Sequence, residues 1–123
     1  MSKVLIALGS NERQSVHIQW ASERLASLLG HSCLLSHCLW TRDVKGTGHW
    51  YMNRLVAGET TLTCEELTQW LKEMEQACGR TKEKVTLDAD LLLFDGERYH
   101  LNDWPRSYVQ QLLGDVAVFF EGK

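Results

Sequence analysis

Thr86-Leu87-Asp88-Ala89-Asp90-Leu91-Leu92-Leu93-Phe94 is the stretch on which the reading of this chain turns. Alternating acidic and apolar positions run into four consecutive apolar residues. That pattern describes a buried β-strand with two carboxylates at its leading end. Side chains two apart in a strand leave on the same face, roughly 6.6 Å apart at Cα. Asp88 and Asp90 therefore aim two negative charges in one direction beside an apolar run. Unpaired buried carboxylates are costly, so they must meet a cation, a cationic side chain or water. A hard divalent ion such as Mg²⁺, itself holding a phosphate, satisfies both. A solvated strand entrance satisfies them as well, and the pair alone does not choose.

Reading outward toward the C-terminus, Asp95-Gly96 predicts a tight hairpin into Arg98–Leu101. Asn102 or Asp103 caps a last helix with Pro105 in its first turn, ending at Gly114. Val116 to Phe120 then reads as a final strand. Toward the N-terminus, Arg80 to Val85 is a charged loop. Before it, Thr63 and Glu66 form a capping box for a helix whose face is Leu67, Trp70, Leu71, Met74 and Cys78, stopped by Gly79. Trp50–Thr60 and Ser32–Trp40 suit two antiparallel strands around a mobile loop, Thr41–His49. Ile18, Ala21, Leu25, Leu28 and Leu29 fall at helical spacing between Gln14 and Leu29, with Gly30 behind them. Val4–Leu8 is a short buried strand ending at Gly9-Ser10-Asn11.

The order β-α-β-β-α-β with a trailing hairpin and helix predicts an α+β fold, a ferredoxin-like antiparallel sheet with helices packed on one face. The other face must then be covered by loops and the C-terminal helix, or bind something. Length predicts a single domain over residues 1–123. The chain is 44% hydrophobic and 24% charged, with a net charge of −3 from 13 basic and 16 acidic groups. An acidic balance argues against a general nucleic-acid binder, though not against a nucleotide held by a few local cations. The N-terminal apolar run is too short for a signal peptide, and no stretch reaches membrane-spanning length. The expectation is a soluble cytoplasmic protein, a monomer or weak oligomer. Cys33, Cys38, Cys64 and Cys78 contain no CxxC pair and read as reduced thiols. His31, Cys33, His37 and Cys38 match no zinc-finger spacing.

Several other residues carry chemistry in their spacing. Tyr51 and Asn53 share a strand face, an aromatic plate beside an amide, which suits a flat heteroaromatic ligand. Glu75 stands at the edge of the second helix's apolar stripe. Arg80 follows the helix-stopping glycine and could clamp a phosphate bidentately. Arg106 and Tyr108 offer a second cation and a second plate. Each also has a plain structural reading, as a helix charge or a cross-strand pair. Gly9-Ser10-Asn11 lacks the spacing of a Walker loop and reads as a tight connection.

Taken together, the chain resembles the 6-hydroxymethyl-7,8-dihydropterin pyrophosphokinases of the folate pathway. The resemblance is carried by Ala7-Leu8-Gly9-Ser10-Asn11, Tyr51-Met52-Asn53, Glu75 before Gly79-Arg80, the Thr86–Phe94 segment and Arg106-Ser107-Tyr108, in the family's order. It implies Mg²⁺-dependent transfer of diphosphate from ATP to the pterin hydroxymethyl oxygen, with release of AMP. It implies Asp88 and Asp90 as magnesium ligands and, with Arg80, as the catalytic group. It implies Tyr51, Asn53 and Tyr108 around the pterin, and Glu75, Arg80 and Arg106 on the nucleotide side. Its partners are then small molecules, with no nucleic acid and no membrane. The chain also departs from the pattern. The usually longer, arginine-bearing loop before Thr-Leu-Asp is reduced to Thr81-Lys82-Glu83-Lys84-Val85. The Pro-His segment before the last helix is replaced by Asn102-Asp103-Trp104-Pro105. The Pro-rich loop after the second strand becomes Arg42-Asp43-Val44-Lys45-Gly46-Thr47-Gly48. These losses support an alternative, a non-catalytic nucleotide- or pterin-binding domain on the same scaffold. A third reading, an RNA-binding ferredoxin-like domain, conflicts with the acidic balance.

Overall fold

The structure, a computed structural model, describes residues 1–43 and 46–121. Val44 and Lys45 of the expected 41–49 loop lie outside the described residues. Strand β1 (Ser2–Ser10) leads into α1 (Gln14–Leu29) and a single 3-10 turn (Gly30–Ser32). Strands β2 (Leu34–Leu35), β3 (Leu39–Arg42) and β4 (Trp50–Thr60) follow, then α2 (Cys64–Ala77). Strands β5 (Asp88–Phe94) and β6 (Glu97–Arg98) and helix α3 (Ser107–Glu121) complete the chain.

The sheet runs β2-β4-β1-β5-β6, with β3 also paired to β4, and every pairing is antiparallel. With β2 and β3 counted as one interrupted strand, this is the ferredoxin-like order. Each face has its own core. Val4, Ile6 and Leu8 of β1 turn toward Ile18, Ala21 and Leu25 of α1 and Leu67, Leu71 and Met74 of α2. Leu5 and Ala7 turn the other way, with Leu55, Ala57 and Leu92, onto Val109, Leu112 and Val116 of α3. Two helices thus cover one face and the C-terminal helix covers the other. Among the described residues no helix is long and apolar enough to cross a membrane.

Local expectations are corrected at three places. Val116–Phe120 is not a strand; α3 begins at Ser107, so neither Asn102 nor Asp103 caps it and Pro105 precedes it, and it continues through Gly114 to Glu121. Val109, Leu112 and Val116 recur at helical spacing and are fully buried, so sheet packing extends the helix across the glycine. The strand expected over 32–40 is broken between β2 and β3. There the Ser36 hydroxyl accepts the Leu55 N–H at 2.8 Å, and Arg54 Nε donates to the Ser36 carbonyl at 2.7 Å. Side chains thus replace the ladder bonds lost at the break. The hairpin strand after Asp95-Gly96 is only Glu97–Arg98, although the turn has the positive φ at both residues that the dipeptide predicts.

In α2 the capping box forms as its sequence predicts: the Thr63 side chain accepts from the Glu66 N–H and the Glu66 carboxylate from the Thr63 N–H. Trp70, expected on the buried stripe, is 36% exposed at its edge. Pairing of β1 with β5 slips by one residue between Leu5 and Ile6. Leu92 and Leu93 consequently both pack on the α3 side. Upstream of that bulge the alternation is regular. Ala89 and Leu91 enter the α1/α2 core, leaving Asp88 and Asp90 on the α3 side.

Candidate active site

Helix α3 starts at Ser107 and does not reach the upper ends of β1, β4 and β5. The face it leaves open is the floor of a cavity of about 1030 Å³. That lies at the upper end of the size of small-molecule sites, roughly 300–1,000 Å³. Gly9, Asn53 and Asp88 are neighbours across three strands, as their pairing register requires. A Cβ on Gly9 would lie 3.6 Å from Asn53 Oδ1, 3.7 Å from the Tyr51 ring and 3.9 Å from Asp88 Cβ. The missing methyl therefore leaves space at the point where an amide, a ring and a carboxylate converge.

All eight residues singled out from the sequence line this cavity: Tyr51 and Asn53 from β4, Glu75 and Arg80 at the end of α2, Asp88 and Asp90 from β5, and Arg106 and Tyr108 at the start of α3. The helix end explains the position of Arg80. Gly79, at φ 73°, donates its N–H to Gln76, and Arg80 N–H returns to the Glu75 carbonyl at 3.4 Å, a Schellman closure. The chain folds back so that the Arg80 side chain meets the side chain of the residue its own backbone touches. Arg80 Nη1 donates to Glu75 Oε2 and to Asp88 Oδ1, each at 2.9 Å. Glu75 Oε2 also accepts the Ala89 N–H at 2.9 Å. At this level β6 has ended, since it pairs only with Leu93 and Phe94, and Glu75 serves the free edge of β5.

The electrostatics follow from burial. Glu75 is shifted up by desolvation, against the pull of the Ala89 N–H and Arg80. Burial lowers Arg80, but Asp88 and Glu75 outweigh it and hold the guanidinium above its ordinary value. Asp90 is pushed up to about 8 by burial first and then by Asp88. Tyr108 rises to about 12 through burial and the nearby Asp103. Carboxylate oxygens of Glu75, Asp88 and Asp90 all lie within 4.8 Å of one another. Three carboxylate oxygens gathered in this way form a donor set that a hard divalent cation fits.

The structure also adds residues whose part here the sequence reading did not assign. Asn11 accepts the Val85 N–H through Oδ1 at 2.9 Å and donates through Nδ2 to the Tyr51 hydroxyl at 3.3 Å. The turn after β1 thus ties the short loop and the aromatic plate together. Thr41 accepts from Asn53 Nδ2 at 2.8 Å. His100 Nε2 lies 3.9 Å from Asp90 Oδ1, and Asp103 completes an Asp90-His100-Asp103 cluster within 4.8 Å. Asn102–Pro105, where the resemblance implies a histidine, holds none. His100 lies two residues earlier in a left-handed turn residue, φ 52°, which spacing alone did not place. Lys72 lines the cavity too, as does Lys82, whereas Lys84 does not.

An acidic, arginine-clamped cleft beside two aromatic walls, on a ferredoxin-like sheet, has the size and chemistry to take an anion with its cation. The family pattern for 7,8-dihydro-6-hydroxymethylpterin-pyrophosphokinase matches residues 5–118. The chain belongs to that family. No curated protein matches it as a relative.

Proposed function

We propose that this protein transfers diphosphate from ATP to the hydroxymethyl oxygen of 6-hydroxymethyl-7,8-dihydropterin, with release of AMP and a requirement for Mg²⁺. The observation that carries the reading is the convergence of Asp88, Asp90 and Arg80 with Tyr51 and Asn53 on one cavity. Family membership supports it independently. We read residues 1–123 as one domain working in the cytoplasm, a monomer or weak oligomer with small-molecule partners.

Asp88 and Asp90, with Glu75 in reach, would hold the magnesium, which when bound neutralises charge on the phosphate chain. The protein's own groups do the rest. Tyr51 and Tyr108 offer rings from two walls for a flat bicycle. Asn53 donates through Nδ2 to the Leu39 carbonyl at 3.1 Å and to Thr41 Oγ1 at 2.8 Å. Only Oδ1 is left to face the cavity, so Asn53 reads a donor edge of the ring. Arg80 and Arg106 place guanidinium charge near the phosphates. Phosphoryl transfer depends on such positioning and charge neutralisation more than on covalent help.

The test is direct. Purified protein with Mg²⁺, ATP and the pterin should form AMP in step with the diphosphorylated pterin. No AMP from protein that binds both ligands would favour the second reading, a binding domain without turnover. The short Arg80–Thr86 connection, which leaves Val85 near the place of a second arginine, is the observation on that side. Binding of neither ligand would sink both readings.

A further inference from the structure

We propose that Lys72 binds the phosphate chain of the nucleotide. The inference rests on the reading of this cavity as a nucleotide site. Five cationic side chains border the cavity: Arg42, Lys72, Arg80, Lys82 and Arg106. Three already have partners. Arg80 is held by Glu75 and Asp88 at 2.9 Å. Arg106 Nε lies 3.3 Å from Asp103, and the Arg42 guanidinium lies 4.6 Å from the centre of the Trp50 ring. Among the described residues, Lys72 and Lys82 are the two cavity cations that meet no carboxylate and no ring.

A polyphosphate entering the cavity must draw cations onto itself. Arg80 can turn to it only by giving up contacts to two carboxylates. An unpaired ammonium group gives up only water and rotamer freedom. Lys72 has a further advantage over Lys82. It stands on α2 three residues before Glu75, so the two project from neighbouring positions of one helix face. The helix fixes its Cα on the wall that also carries Glu75, whereas Lys82 belongs to a loop. In the sequence Lys72 is one more polar residue opposite the Leu67-Leu71-Met74 stripe. Only the cavity distinguishes it from Glu73.

Calorimetry on the intact chain, with Mg²⁺ and a non-hydrolysable ATP analogue, tests this. Lys72→Gln should weaken the analogue by about tenfold, the scale of one charge-assisted hydrogen bond. Lys72→Arg should restore most of that loss. Adenosine and pterin affinities should stay as in the wild type, and Lys84→Gln, outside the cavity, should leave all three unchanged. Thermal melts establish that each variant is folded. Equal affinity of wild type and folded Lys72→Gln for the analogue overturns the proposal, and so does an equal loss for adenosine. A wild type that binds pterin but no nucleotide overturns the nucleotide reading itself, and the assignment of Lys72 with it.

Discussion

Asn53 shows how a single side chain acquires a direction. A backbone carbonyl can only accept, so the amide atom 3.1 Å from Leu39 O is the nitrogen, and Thr41 Oγ1 takes the second proton. The oxygen must then point toward Gly9. Thr41→Val keeps shape and strand preference while deleting one of the two anchors. Pterin affinity should fall by roughly 1 kcal/mol, the net worth of one hydrogen bond, while binding of the ATP analogue stays constant. Calorimetry with each ligand reads the difference. Gly9→Ala makes the complementary change. Its new methyl meets only ordinary contacts, the closest at 3.6 Å, so the melting temperature should barely move. Pterin binding should nonetheless drop, because the methyl fills the space between Tyr51, Asn53 and Asp88. At this scale the period of two in a strand was enough to group Tyr51 with Asn53 and Asp88 with Asp90. It could not find His100 or Lys72, whose positions depend on a turn and on a helix wall.

Among the elements, α2 was legible almost atom by atom, because both its ends are written locally: a capping box at Thr63–Glu66 and a glycine at 79 in a left-handed conformation. Helix α3 was not. Gly114 looks like a stop and Val116–Phe120 like a strand when neighbours in space are ignored. In the fold, Gly114 is exposed, a Cβ there would meet nothing within 4 Å, and the buried Leu112 and Val116 carry the helix past it. Gly114→Ala should therefore stabilise the protein by roughly 0.5–1 kcal/mol, seen as a higher denaturant midpoint. Gly58 has the opposite surroundings. A Cβ there would lie 2.8 Å from Leu29 Cδ1 and 3.0 Å from Leu29 Cβ. Gly58→Ala must push α1 away from β4 and should cost about 1–3 kcal/mol in the same measurement.

Over the whole molecule, the burial of Asp90 ties stability to pH. Asp90, ordinarily at 3.8, is raised to about 8 by burial beside Asp88. Between those values the folded protein keeps a proton that the unfolded chain has released, so stability falls as pH rises through that window. Asp90→Asn removes the effect. In chelator, its advantage over wild type should be small near pH 4 and grow up to pH of about 8, followed by denaturant midpoints across the series. Mg²⁺ should stabilise the wild type at pH 8 and leave Asp90→Asn nearly unchanged. A variant that gains no stability at high pH would mean that Asp90 is well solvated. The sequence by itself determined the element types with local signatures, the ferredoxin-like order of the main strands, and which residues share a strand face. Those features depend on chain neighbours a few residues apart and on alternation. Only the tertiary structure decided that α3 crosses Gly114 and closes the second face, that Arg80 is shared by Glu75 and Asp88, and which lysines border the cavity. Each of these is set by groups far apart in the chain, whose burial and charge act on one another only after the sheet has brought them together.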